Sequence, residues 1–262
     1  GLVRKLLFPF SLLYAMAVHL RNFLYDKGIF KSKSFRTPII SVGNLSVGGT
    51  GKTPMIELLL DYLQEDLKVA VLSRGYRRKS NGFVLADPDA TVNDLGDEPF
   101  QIYSKFAGIT VAVDSNRRNG ITILEEKVKP DVVLLDDAFQ HRKVKPGLSI
   151  LLTAYGNLYC DHWYLPTGDL RDAKREARRA DVIVVTKCPV NLSDKERISI
   201  KEKIKPKAYQ QLLFSTLAYG TLLKGKAKEV TLSEFLNEEV TLVTGIANPE
   251  PLVAYLKKSG NI

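Results

Sequence analysis

The stretch Ser46-Val47-Gly48-Gly49-Thr50-Gly51-Lys52-Thr53 constrains the fold more than any other part of the chain. It follows an apolar run, Pro38-Ile39-Ile40-Ser41-Val42, and precedes a helical pattern from Met55 to Leu63. A strand, a glycine-rich turn and Gly-Lys-Thr opening a helix together read as a phosphate-binding loop. Glycines let backbone N–H groups turn inward around an anion. The helix N-terminus adds the positive end of its dipole. In such a loop Lys52 reaches the β- and γ-phosphates of a nucleotide and the Thr53 hydroxyl holds Mg²⁺. Ser46 stands where the usual G-x-x-x-x-G-K-[ST] pattern begins with glycine. The competing reading is a glycine-rich turn before an ordinary helix.

A second motif supports the first. Val132-Val133-Leu134-Leu135-Asp136-Asp137 is an apolar run ending in two acids. Buried parallel strands read as continuous apolar runs. Acids at their carboxyl ends face the crevice where open α/β sheets bind ligands. A Walker-B carboxylate that holds Mg²⁺ belongs there.

Strand patterns at 38–42, 69–73, 110–113, 131–135, 148–152 and 181–185 alternate with helical patterns near 53–65, 98–106, 117–127 and 171–179. This alternation predicts an α/β fold: a P-loop NTPase-like, mostly parallel sheet with helices on both faces. Beyond Lys187 the character changes. Residues 191–207 are charged, with a helix start at Ser193, and 209–223 and 227–231 read as short strands. Val240–Thr244 leads through Gly245-Ile246-Ala247-Asn248-Pro249 into a helix from Glu250 to Lys258. That unit suggests a smaller second α/β lobe. The expected organisation is an N-terminal helix at 1–30, a P-loop domain at 31–205, and at 206–262 the start of a smaller domain. A lone βα unit cannot bury a core, so the last of these is expected to continue past Ile262.

The N-terminal arm is unusual. Leu6 to Val18 carries no charge and is flanked by Arg4, Lys5 and Arg21. A spanning helix needs ~20 apolar residues, and this run is shorter and holds Pro9. An interfacial helix is the expectation, with Lys27, Lys31, Lys33 and Arg36 turned to an anionic leaflet. A helix packed on the core is the alternative. The whole chain of 262 residues has 38 Lys and Arg against 29 Asp and Glu, a net charge of +9. That balance suits an acidic partner without choosing among phosphate, nucleic acid and anionic lipid. Cys160 and Cys188 form no C-x-x-C, and His19, His141 and His162 show no metal-ligand spacing.

Four more clusters fall where strand ends converge. They are Gly96-Asp97-Glu98-Pro99, Ser73-Arg74-Gly75-Tyr76 with Arg77, Arg78 and Lys79 behind it, Asp136-Asp137-Ala138-Phe139-Gln140-His141-Arg142, and Leu165-Pro166-Thr167-Gly168-Asp169-Leu170-Arg171. Adjacent acids beside a nucleotide can supply a general base and a Mg²⁺ ligand, although Asp at a helix N-cap before Pro is also common. Arginine forks at such places suit multiply anionic substrates.

With Gly43-Asn44-Leu45 preceding the loop, these motifs together resemble, in order, the motif series of the tetraacyldisaccharide 4′-kinase family, and they cover nearly the whole chain. The resemblance implies ATP- and Mg²⁺-dependent phosphorylation of the 4′-hydroxyl of a tetraacylated glucosamine disaccharide 1-phosphate in lipid A biosynthesis. It places the enzyme peripherally or monotopically on the cytoplasmic face of the bacterial inner membrane. Its partners are then a glycolipid substrate and the membrane surface, with no nucleic acid and no obligate protein partner. It implies that Ser46, Val47, Gly48, Gly49, Thr50, Gly51, Lys52 and Thr53 bind ATP. Thr53, Glu98, Asp136 and Asp137 are candidates for the metal, and Asn44, Arg74, Arg117, Gln140 and Arg171 for the substrate. Asp97, Lys52 and Arg171 are the candidate catalytic residues, Asp97 as the base for the sugar hydroxyl. Two departures stand out. Ala138 replaces a usual glycine, and the family's His-containing motif beyond 240–258 is missing, together with the partner it would offer the catalytic acid. The alternative is a membrane-associated P-loop ATPase acting as a nucleotide-dependent switch; Val47 stands where such switches often carry lysine. A GTPase would need an acid where Pro189 follows Thr186-Lys187-Cys188.

Overall fold

The computed structural model describes residues 2–224, 229–235, 240–244 and 249–258. The chain divides into two compact units, 1–215 and 216–262. In the first, two helices, α1 (Leu2–Leu6) and α2 (Phe8–Asp26), precede strand β1 (Ile39–Asn44) and helix α3 (Lys52–Leu63). There follow β2 (Val69–Ser73), β3 (Val84–Leu85), α4 (Val92–Leu95), α5 (Asp97–Lys105), β4 (Thr110–Val113), α6 (Arg117–Lys127) and β5 (Val132–Asp136). The unit closes with β6 (Leu148–Ala154), β7 (Val182–Thr186), α7 (Asp194–Ile204) and β8 (Gln211–Phe214).

These strands form one sheet in the order β3-β4-β2-β5-β1-β6-β7-β8. Every pairing is parallel except that of β3 with β4. Successive side chains on a strand point to opposite faces, and the core follows that rule. Val71 and Leu134 pack with Ile56 and Leu60 of α3 and Ile102 of α5. Their neighbours Ala70, Leu72, Val133 and Leu135 pack with Ile121 and Leu124 of α6. A third cluster joins Leu151, Ile183 and Val185 to Ile200 and Ile204 of α7. Helices therefore cover both faces, as the apolar runs predicted.

α7 begins where the sequence placed it: Ser193 and Glu196 form a reciprocal capping box. Three expectations change. Residues 174–179 form a 3-10 turn, not an α-helix. Residues 211–214, expected after a domain boundary near 206, are β8 and pair with β7 at the edge of the main sheet. No strand forms at 240–244, and the turn expected at 245–248 lies outside the described residues. The weak apolar patterns there do not bury a face, and strand pairing depends on such a face. β3 and α4 had no periodic signal and were not foreseen.

The second unit contains β9 (Leu222–Lys224) paired antiparallel with β10 (Glu229–Thr231), a 3-10 turn at Leu232–Phe235, and helix α8 (Glu250–Lys258). Tyr219 stacks on Tyr255 with ring centroids 4.9 Å apart.

α2 packs on the first unit with its polar side inward. Ser11, Val18 and Asn22 are buried, at i, i+7 and i+11, a helical repeat. Ser11 donates to Thr167 Oγ1 at 2.7 Å, and the Tyr164 hydroxyl lies 2.9 Å from His19 Nε2. Phe10, Leu12, Leu13, Met16, Leu20 and Phe23 stay exposed on the other side. Among the described residues no helix is long and apolar enough to cross a membrane.

Candidate active site

The phosphate-binding loop leaves the carboxyl end of β1, whose neighbour in the sheet is β5; Val42 is level with Asp136. Gly51 is the N-cap of α3 with φ of +84°, a left-handed conformation that suits glycine. Lys52 and Thr53 then form the first turn of α3. The loop is anchored on three sides. Asn44 Nδ2 donates to Thr50 Oγ1 at 2.8 Å, the Thr186 hydroxyl donates to the Thr50 carbonyl at 2.8 Å, and Val47 N donates to the Asp169 carbonyl at 2.7 Å.

A cleft of about 590 Å³ opens above it. It is lined by Ser46, Val47, Gly48, Lys52, Ser73, Arg74, Tyr76, Asp97, Glu98, Pro99, Asp136, Asp137 and Arg171. All three candidate catalytic residues are therefore in one place. Asp97 is the first residue of α5 and exposed; the N-cap is Gly96, with φ of +88°. A side chain there would meet the Tyr76 carbonyl at 2.7 Å. Asp97 is thus not a capping residue, and its carboxylate is free to serve the cleft.

The two adjacent acids at the carboxyl end of β5 differ: Asp136 is its last residue and Asp137 follows it. Burial, reinforced by the Glu98 and Asp137 carboxylates, pushes the Asp136 pKa up to about 7. Its Oδ2 accepts from Ser73 at 3.4 Å, while Oδ1 is buried with no hydrogen-bond partner. Asp137 is also raised by burial, but Arg171, Lys52 and Arg117 outweigh that and hold it below the usual carboxylate range. Arg171 grips Asp137 bidentately, at 2.7 and 3.1 Å, and donates to the Asn44 side-chain oxygen; Lys52 Nζ lies 3.7 Å from Asp137. Asp137 thus carries the negative charge opposite both cations, Lys52 and Arg171.

Among the described residues no three His, Cys, Asp or Glu side chains gather into a metal cage. Mg²⁺ needs none, since it is usually held by one or two carboxylates plus phosphate oxygens and water. The orphaned Asp136 Oδ1 fits that role, with the Asp137 and Glu98 carboxylates in the same cleft; Thr53, in the first turn of α3, is not among the residues lining it.

The candidate substrate residues separate. Arg74 and Arg171 line the nucleotide cleft, whereas Arg117 and Gln140 line a second cleft of about 840 Å³. This second cleft also carries Arg21, Arg118, Arg142, Lys31, Lys143, Tyr25, Ile29 and Phe30. Asn44 is fully buried between the two, with Arg171 on one side and Gln140 Nε2 donating to its carbonyl at 2.6 Å on the other. Arg117 is only 2 % exposed. It donates to the carbonyls of Asp114 and Asp136, bracing the end of β5. Burial together with Arg117 and Arg74 lowers His141 to about 4, so it is neutral. Arg78, left open from sequence, donates to the Gly82 carbonyl at 2.5 Å and is structural.

Sequence reading missed Asp172 and Glu176, two fully buried carboxylates, and their neighbours Tyr14 and Asn22 on α2. Asp172 directly follows the Leu170-Arg171 pair, the one signal that could have drawn attention to it.

Comparisons with known proteins identify the family. A sequence profile described as tetraacyldisaccharide-1-P 4′-kinase (LpxK) matches residues 3–261. A tetraacyldisaccharide 4′-kinase of Flavobacterium johnsoniae is 53% identical over 262 residues, all of this chain and 77% of that protein. One of Bacteroides thetaiotaomicron is 47% identical, covering 97% of this chain and 70% of that protein. The crystal structure of the "apo" form of LpxK from Aquifex aeolicus in complex with ATP superposes with a TM-score of 0.81 at 34% identity, over 98% of this chain and 79% of that one. The profile match and these identities place the chain in the tetraacyldisaccharide-1-P 4′-kinase family.

Proposed function

We propose that the two clefts divide the reaction, the smaller taking ATP and the larger the sugar headgroup of the lipid. The activity is that of the family: an ATP-dependent kinase that phosphorylates the 4′-hydroxyl of a tetraacylated glucosamine disaccharide 1-phosphate in lipid A biosynthesis. The observation that carries the assignment of the clefts is the convergence of Lys52, Asp97, Asp136, Asp137 and Arg171 on one opening.

Phosphoryl transfer is mostly positioning and charge stabilisation. The loop from Ser46 to Thr53 cradles the phosphates through backbone N–H groups. Lys52 and Arg171, both lining this cleft, stabilise the transferred phosphoryl group and its developing charge. Mg²⁺ held by Asp136 with Asp137, Glu98 and Thr53 supplies further charge neutralisation when bound. Asp97 takes the proton of the attacking sugar hydroxyl. Arg118 and Gln140 line the larger cleft and meet the anionic disaccharide, with the buried Arg117 bracing the end of β5 behind them, and Arg74 lines the ATP cleft.

The exposed apolar side of α2, with Lys5 and Lys27 near its ends, is proposed to lie in the cytoplasmic leaflet of the inner membrane; Arg4, expected there too, is instead paired with Asp169 at 2.6 Å. That position brings the larger cleft to the plane of the lipid headgroups. The test is incubation of the protein with labelled ATP, Mg²⁺ and the disaccharide lipid. Label in the lipid, with loss of it in Asp97→Asn, supports the assignment. ATP hydrolysis that never labels lipid would favour the nucleotide-dependent switch. For the larger cleft, Arg118→Ala should raise the KM for lipid and spare that for ATP.

A further inference from the structure

We propose that α2 is a positioning element for Arg171, as well as a membrane-facing helix. The inference rests on the reading of Arg171 as a group that meets the transferred phosphate.

The backbone around Arg171 is held by side chains of α2. The Tyr14 hydroxyl donates to the Arg171 carbonyl at 2.8 Å. The next residue, Asp172, is fully buried, and its Oδ1 accepts from Asn22 Nδ2 at 2.6 Å. The guanidiniums of Arg21 and Arg179 lie 3.8 and 3.9 Å from Asp172. Arg171 N donates to the Leu45 carbonyl at 2.7 Å, tying the same turn to the start of the phosphate-binding loop. A second route leads to the same place. Arg21 donates to the Gln140 carbonyl at 2.6 Å, and the Gln140 side chain donates to the Asn44 carbonyl at 2.6 Å. Asn44 in turn receives Arg171. Both routes start on α2 and converge on the Arg171–Asn44 contact.

The chemistry of the buried face makes this more than packing. A helix serving only as a membrane tether would bury apolar residues against its own protein. α2 buries Ser11 and Asn22 with one apolar residue, Val18, between them. Asp172 Oδ1 also accepts from Ala173 N at 2.8 Å, so an apolar residue at 22 would remove one of its two hydrogen bonds, and the only one from α2, at a buried carboxylate, which is costly. The amide is explained by what it holds, and what it holds is the turn carrying Arg171. Misplacing a phosphate-binding fork by about 1 Å is enough to cost on the order of 10²-fold in rate.

Asn22→Ala and Tyr14→Phe test this, each alone and combined with Arg171→Lys. Turnover is measured with the lipid in detergent micelles and in vesicles of phosphatidylethanolamine and phosphatidylglycerol, alongside vesicle flotation and thermal unfolding. Asn22→Ala should lower kcat roughly 10- to 100-fold in micelles and vesicles alike. Flotation and the KM for ATP should not move, because the side chain faces away from the lipid. In the Arg171→Lys background the same substitution should add little further loss, since coupled residues are not additive. Asn22→Ser, which keeps a donor, should recover part of the rate. If Asn22→Ala unfolds, Tyr14→Phe, which removes a single hydroxyl, carries the same cycle. Losses that multiply across the two backgrounds, or that track the unfolded fraction, would overturn the proposal. So would an effect confined to vesicles. If Arg171→Lys keeps full turnover, this inference and the reading of Arg171 fall together. If Arg171→Lys is impaired while the α2 variants are not, only this inference falls.

Discussion

α2 and α3 are both two-faced helices, and they face opposite ways. α3 turns Ile56 and Leu60, each 0% exposed, into the core and leaves Tyr62 outside. α2 turns Ser11 and Asn22 inward and leaves Leu13 and Met16 exposed, at 62% and 68%. Periodicity shows that a helix has two sides; the partner decides which is buried. α3 lies on an apolar sheet face, where burial stabilises by about 25 cal/mol per Å². α2 lies on a charged surface of Asp172, Glu176, Arg142 and Arg179, where Asn22 and Asp26 find hydrogen-bonded partners. Its apolar side is left exposed. Deleting residues 1–25 would remove both sides at once, Tyr14 and Asn22 included, so point substitutions separate them better.

The largest effect is expected at the mouth of α3. Lys52→Ala should reduce lipid phosphorylation by ~10³-fold or more while thermal unfolding stays unchanged. Near-parental turnover at saturating ATP would remove the phosphate-binding loop from the mechanism. Asp97→Asn should lose ~10²–10⁴ in turnover with little change in ATP affinity. A collapse of ATP affinity with turnover preserved would make Asp97 a metal or structural residue.

The contrast between the helices is tested by equivalent changes on each. Leu60→Ala should destabilise by about 2–5 kcal/mol, as full burial of leucine requires. Leu13→Asp with Met16→Asp should leave unfolding unaltered and weaken vesicle flotation by roughly 10-fold or more, since each side chain contributes ~1.5–3 kcal/mol when fully buried. Part of the flotation should survive high salt, because apolar burial is not screened. Stability lost in the α2 double variant, with flotation intact, would mean that its outer side is packed on protein.

The smallest expected effect is one of pH. The native protein keeps His141 neutral down to about 4, whereas an unfolded chain takes up that proton from about 6.5 downward. The unfolded state then binds more protons across that window, so stability from His141 is lost as pH falls from about 6.5 to 4. Asp136, raised to about 7, acts in the opposite sense. The readout is therefore the difference between the parent and His141→Gln: the parent's melting temperature should fall more steeply on acidification, and parallel curves would refute it.

Much of the first unit could be read directly from the residues. β2 and β4 lie within a residue of their expected bounds because their apolar runs are buried in the sheet, and α6 does because Arg117, Gly120, Ile121 and Leu124 repeat at helical spacing on its buried side. The loop, Asp97 and the acids after β5 were identified as chemistry, and they share one cleft. The edges were less legible. β8 carries alternating exposed and half-buried residues and finds its place only by pairing with β7. The separation of Arg74 from Arg117 and Gln140 into different clefts leaves no trace in spacing, because arginine reads the same wherever it projects.

The residues alone determined the strand–loop–helix of the phosphate-binding pattern and the acids that end β5. Glycine conformations, the lysine and the buried strands are local requirements written within a few residues of each other. Tertiary structure decided what crosses long separations: that Asp172 sits beneath Asn22, 150 positions away, and that Arg171 closes on Asp137 and Asn44. A buried carboxylate is tolerable only beside its partner, and no pattern in the sequence names a partner that only folding brings near.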